Sequence, residues 1–101
     1  MKRVWKFALE RPTALGHSFA DMPQNAEPLS VGWQDGRMFV WALVDSRDAP
    51  RRTGTGPHLF FVVNTGDAFR LFDGARFLGT VTTDNGIVWH VWDADPLVAA
   101  A

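Results

Sequence analysis

Cysteine is absent from the 101 residues. Its absence removes disulfides and thiolate zinc sites, and with only three histidines few ways remain to build a metal centre. The fold must therefore stand on packing. Charge of one sign is also lacking, since ten Lys+Arg stand against eleven Asp+Glu for a net −1. No global field draws such a chain to nucleic acid or to an anionic membrane, so the composition argues against both as partners unless a local patch supplies the charge. No window approaches the ~20 apolar residues of a membrane-spanning helix. The start, Met1-Lys2-Arg3-Val4-Trp5-Lys6, carries a charge pair without the apolar stretch of a secretory signal behind it. Tyrosine is missing too, yet there are five tryptophans and eight phenylalanines, more than a small core always hides.

What is present reads as one β domain over residues 1–101. Hydrophobic residues make up 47%, enough for a packed core. From Arg3 to Glu10 the pattern alternates, with Trp5, Phe7 and Leu9 on one face and Val4, Lys6 and Ala8 on the other, the period of a half-buried strand. Pro12, Gly16, Pro23 and Pro28 forbid a long helix in the next stretch, leaving a short edge strand over 18–22.

The clearest local signal is Asp35-Gly36 between two apolar runs, a type I′ hairpin. That register puts Trp33 opposite Met38, Val31 opposite Val40 and Leu29 opposite Ala42. Gly32 then faces Phe39, whose ring is expected to cover it. Residues 38–44 are apolar on both sides, so this strand should be central and covered twice, with a second copy of the chain as one possible cover. After a polar loop, the run from His58 to Val63 predicts another buried strand. Asp73-Gly74 suggests a small hairpin over 69–77. A last hairpin turns at Asp84-Asn85-Gly86, where a three-residue loop with Gly86 left-handed keeps the faces distinct. It groups Phe77, Val81, Ile87, Trp89 and Val91, and leaves Thr80, Thr82, Val88, His90 and Trp92 opposite. The tail from Asp95 has an N-cap and a proline but too few residues to hold a helix, so 94–101 is expected to fray. About six strands with short hairpins predict an all-β, mainly antiparallel fold: a curled sheet, a small open barrel or a sandwich.

Several pieces resemble a family of small bacteriophage and prophage proteins catalogued as a domain of unknown function. They are Met22-Pro23, Leu29-Ser30-Val31 with Gln34 and Gly36, Trp41-Ala42-Leu43-Val44-Asp45, Thr65-Gly66, Phe77-Leu78-Gly79-Thr80-Val81 and Val88-Trp89-His90-Val91. The likeness spans most of the chain. The family's Thr-Gly step tends to have Gly before it and His-Pro after it, whereas this chain reads Asn64-Thr65-Gly66-Asp67-Ala68. The resemblance implies a phage-encoded accessory protein and brings no activity. The expected location is the cytoplasm of the infected bacterium.

Five residues are the candidates for a ligand site: His90, Trp92, Thr80, Arg51 and Arg52. An imidazole is a ready base or ligand contact, but His90 has no Ser or Cys nucleophile at a familiar spacing, and the favoured reading is a neutral ring hydrogen-bonded to Thr80 or to a backbone group. Arg47, Arg51 and Arg52 beside flexible glycines offer guanidinium groups to a phosphate or carboxylate, with Asp45 and Asp48 close by to neutralise them. Gly54-Thr55-Gly56 is not a nucleotide fingerprint, because Pro57 and a strand follow it. His17 is expected at the surface, with a pairing to Asp21 as the alternative. A metal would need His17, His58 and His90 to converge with a carboxylate such as Asp93, which nothing in the spacing requires. No cofactor is expected. Trp92, with Trp33 or Trp41, is a candidate for an exposed aromatic contact.

The leading expectation is a non-catalytic protein that binds a host protein or a small ligand, for instance against a defence system. The alternatives are a structural or decoration part of the virion, and a small hydrolase using His90 on a nucleotide-like substrate.

Overall fold

A computed structural model describes residues 1–45 and 55–94. The loop carrying Arg47, Asp48, Arg51, Arg52 and Gly54, and the tail from Asp95, lie outside the described residues. Seven strands follow one another: β1 (Lys2–Ala8), β2 (His17–Pro23), β3 (Glu27–Gln34), β4 (Arg37–Asp45), β5 (Thr55–Asn64), β6 (Arg76–Thr82) and β7 (Val88–Asp93). All pair antiparallel, in a three-stranded sheet β1-β4-β3 and a four-stranded sheet β2-β5-β7-β6. The fold is an all-β sandwich, with one strand more than the periodicity suggests.

The local turn chemistry acts as expected. Asp35 and Gly36 both take positive φ, 53° and 77°, which is the type I′ requirement. Trp33 pairs with Met38 and Val31 with Val40. At the last turn the Thr83 N–H donates to the Ile87 carbonyl at 2.9 Å around left-handed Gly86, closing the three-residue loop and setting Thr80 opposite His90.

The core lies between the sheets. Val40, Ala42 and Val44 of β4 meet Met22, Phe60, Val62 and Val91 of the other sheet, all buried, with Trp5, Phe7, Val31, Trp33, Leu78 and Trp89 packed around them. The chain passes from one sheet to the other where the Glu10 N–H donates to Phe19 at 2.9 Å, and the buried Ser18 hydroxyl donates to the Glu10 carbonyl. On the far side β3 packs alongside β6: the Arg76 guanidinium donates to the Pro28 carbonyl, and Gly79 sits against Val31.

Four expectations are corrected. Pro28, not Leu29, lies opposite Ala42, because the register shifts between Pro28 and Ser30; proline has no N–H for the ladder, and the bulge leaves Leu29 exposed. The ring over Gly32 is the indole of Trp41, whose Cζ3 lies 3.0 Å from where a β-carbon would be, since Trp reaches diagonally across the ladder. A second bulge, between Phe77 and Gly79, turns Phe77 away from the core and Leu78 towards it. The Asp73-Gly74 turn exists, with Gly74 at φ 89°, but 67–72 is not a strand.

Strand β4 is central, as expected, and its inward residues are fully covered. Its outward Phe39, Trp41 and Leu43 are only half-buried. Part of their cover is cationic, with the Lys6 ammonium 4.6 Å above the Phe39 ring.

Candidate functional site

The outer face of the four-stranded sheet gathers what the inner face does not need. Side chains alternate along a strand, so the residues that send Phe60, Val62 and Val91 inward send Phe61, Val63, His90 and Trp92 outward. Register places His17, Phe61, Trp92 and Phe77 in one row across β2, β5, β7 and β6, and Val63, His90 and Thr80 in the next.

The first row is aromatic. The segment after β5 folds back over it instead of forming a strand, bringing Phe69 and Phe72, three apart in sequence, onto the same rings. Phe61 is fully buried at the centre, with His17 stacked on it at 5.4 Å, Phe72 edge-on at 5.2 Å and Phe69 at 6.1 Å. Trp92 contacts Phe69 at 5.1 Å and Phe77 at 5.0 Å. These separations suit offset or edge-to-face packing. The rim of the cluster is open: Phe72 is 39% exposed and Phe77 52%. His17 is thus held by Phe61 and not by Asp21.

In the second row both ring nitrogens of His90 find a hydroxyl. Thr80 Oγ1 lies 3.1 Å from Nδ1 and Thr65 Oγ1 2.7 Å from Nε2. A hydroxyl both donates and accepts, so the neutral imidazole is satisfied in either tautomer. Thr65 stands in the turn after β5, which is fixed by left-handed Gly66, by the Asp67 N–H on the Asn64 carbonyl at 3.1 Å, and by the Asn64 amide on the Val88 carbonyl at 3.0 Å. The residues of three separate pieces of the resemblance, Thr65, Thr80 and His90, therefore meet.

His90, Trp92 and Thr80 share this face as the strand register requires. Arg51 and Arg52 lie outside the described residues. The sequence reading missed Thr65, Phe61, Phe69 and Phe72; the three-residue spacing of the last two is the only local hint of them. It also missed a polar cluster on the inner face, where His58 Nε2 lies 2.8 Å from Asp93 Oδ1 and Arg76 lies 3.8 Å from Asp93 Oδ2. The three histidines thus take three different partners, and no group of three or more metal-ligating side chains gathers among the described residues.

Two kinds of chemistry are open to the outer face. Its half-exposed rings offer apolar area to a partner. Its Thr65 hydroxyl sits at the distance from an imidazole nitrogen at which proton transfer to the ring is possible.

The sequence profile of a family described as a domain of unknown function (DUF7352) matches residues 1–99. No curated protein and no solved structure matches the chain.

Proposed function

We propose, from the premise that this chain belongs to the DUF7352 family, that it is a phage-encoded accessory protein that binds a host protein through the outer face of β5, β7 and β6. The observation that carries the reading is the second aromatic cluster. Phe69, Phe72, Phe77 and Trp92 contribute nothing to the core between the sheets, yet they are assembled around Phe61 with Phe72 and Phe77 open to solvent. Large rings packed against one another lose little entropy on binding, which is why such residues dominate interface energetics. The Thr65 and Thr80 hydroxyls, each held by a nitrogen of His90, add polar groups of fixed orientation beside them. On this reading the place of action is the cytoplasm of the infected bacterium.

The test is affinity capture from host lysate with the tagged chain and with a Phe72→Ser/Phe77→Ser variant. A discrete host protein retained by the first and lost by the second supports the reading. Equal recovery with both, or none with either, overturns it. Recovery of the chain in purified virions would replace it with a structural role.

One observation favours a second reading, a small hydrolase. Thr65 Oγ1 is 2.7 Å from His90 Nε2, and Thr80 is placed to orient the ring through Nδ1, so the three form a nucleophile, a base and an orienting group in order. Turnover of activated esters or phosphodiesters that disappears in both Thr65→Val and His90→Ala supports it. Full biological effect in His90→Ala eliminates it.

A further inference from the structure

A cleft of about 450 Å³ opens where β5 runs past the start of β2, next to the aromatic row. Its size falls within the roughly 300–1,000 Å³ of small-molecule sites. Both walls are fixed by the chain itself. On one side the 12–16 loop is tied by the Gly16 N–H to the Thr13 carbonyl at 2.9 Å and by the Val62 N–H to the Gly16 carbonyl at 2.8 Å. Gly16 lies so close to Val63 that a β-carbon would stand 2.9 Å from its Cγ1. On the other side is the 64–67 turn, which the Asn64 amide ties to Val88 at 3.0 Å. Leu15 and the Trp89 indole add apolar surface.

The polar groups in this cleft are unbalanced. Asp67 is the one carboxylate among the lining residues, and no Lys, Arg or His lines it. One Asp67 oxygen accepts the Asn64 N–H at 3.4 Å; its Oδ1 and the Asn64 amide oxygen have no partner among the described residues. Unused acceptors, a formal negative charge and an indole wall favour a ligand that is all donor and cationic at one end and apolar at the other.

We infer that this cleft binds a small organic ammonium, its charged end on Asp67 and Asn64 and its hydrocarbon against Leu15 and Trp89. None of the rings of the aromatic row lines the cleft, so either reading stands if the other fails.

The test is a titration of the full chain with phenethylammonium, followed by ¹H–¹⁵N NMR, beside the isosteric alcohol 2-phenylethanol and the carboxylate 3-phenylpropionate. Saturable shifts at the Trp89 indole, the Asn64 side-chain amide and Asp67 with the ammonium alone are the expected result. Asp67→Asn keeps an oxygen for the Asn64 N–H and should weaken binding about tenfold, the worth of one charge-assisted hydrogen bond. Ala68→Trp, at an exposed position on the cleft wall, should abolish it, whereas Phe72→Ser/Phe77→Ser should leave it unchanged. Equal response to the alcohol, preference for the carboxylate, no saturable shift, or undiminished binding by Asp67→Asn each overturns the assignment.

Discussion

Asp93, the last residue of β7, places its Oδ1 2.8 Å from Nε2 of His58 on the neighbouring β5, and both side chains are nearly nine-tenths buried. Its other oxygen lies 3.8 Å from Arg76, whose guanidinium reaches across the seam to the Pro28 carbonyl. The contact thus belongs to a chain of polar groups that links the two sheets. Removing the carboxylate with Asp93→Ala takes this oxygen from the largely buried imidazole and should cost about 2 kcal/mol in urea unfolding. Asp93→Asn, which keeps an oxygen, should cost less. Equal losses for the two would show that the charge, which both variants remove, carries the effect and that the oxygen kept by asparagine does not.

Gly16 and Gly36 separate two sources of strain. Both have positive φ, 83° and 77°. At Gly36 no heavy atom lies within 4 Å of an added β-carbon, so Gly36→Ala should cost only the left-handed penalty of about 1 kcal/mol. Gly16→Ala should cost about 2 kcal/mol or more, because its methyl also meets Val63. Adding Val63→Ala should recover part of the second loss and none of the first, as read by a double-mutant cycle in thermal melts.

The two aromatic groups differ in what they do for stability. Phe60 is fully buried between the sheets, so Phe60→Ala should cost about 3–5 kcal/mol. Phe77→Ala removes a half-exposed ring with one aromatic neighbour and should cost about 1 kcal/mol. Calorimetry of the two variants checks the ranking, and similar losses would mean that the outer cluster is a second core.

His90 has two exposed hydrogen bonds, so Thr65→Val and Thr80→Val should each change stability by less than about 1 kcal/mol. Each should also shift the ring's tautomer, in opposite senses, because each leaves a hydroxyl at only one nitrogen. Two-dimensional ¹⁵N spectra of the imidazole distinguish the outcomes.

What was legible in the sequence is local. The alternation of Trp5, Phe7 and Leu9, the Asp35-Gly36 turn and the pairing of Thr80 with His90 follow from period and turn chemistry over a few residues. What escaped depends on contacts remote along the chain. The bulge at Leu29 answers a proline against an already formed β4, and the bulge at Leu78 turns Phe77 out towards Trp92. Thr65 and His90 stand 25 residues apart and meet only because β5 pairs with β7. Phe69 and Phe72 find their place on a sheet that must exist before they can lie on it. Strand alternation put Trp92 beside His90, but it had no means of predicting the segment that crosses above them.

The two bulges have a bearing on how copies of this protein behave at high concentration. Each sits on a strand that ends a sheet, β3 or β6, and a bulged strand cannot present the straight row of N–H and C=O groups that another chain needs to extend the ladder. The other two ends are blunted differently, β1 by Lys2 and Lys6 and β2 by Pro23. All four borders of the described sheets thereby carry a feature that disfavours growth of the ladder from one copy to the next.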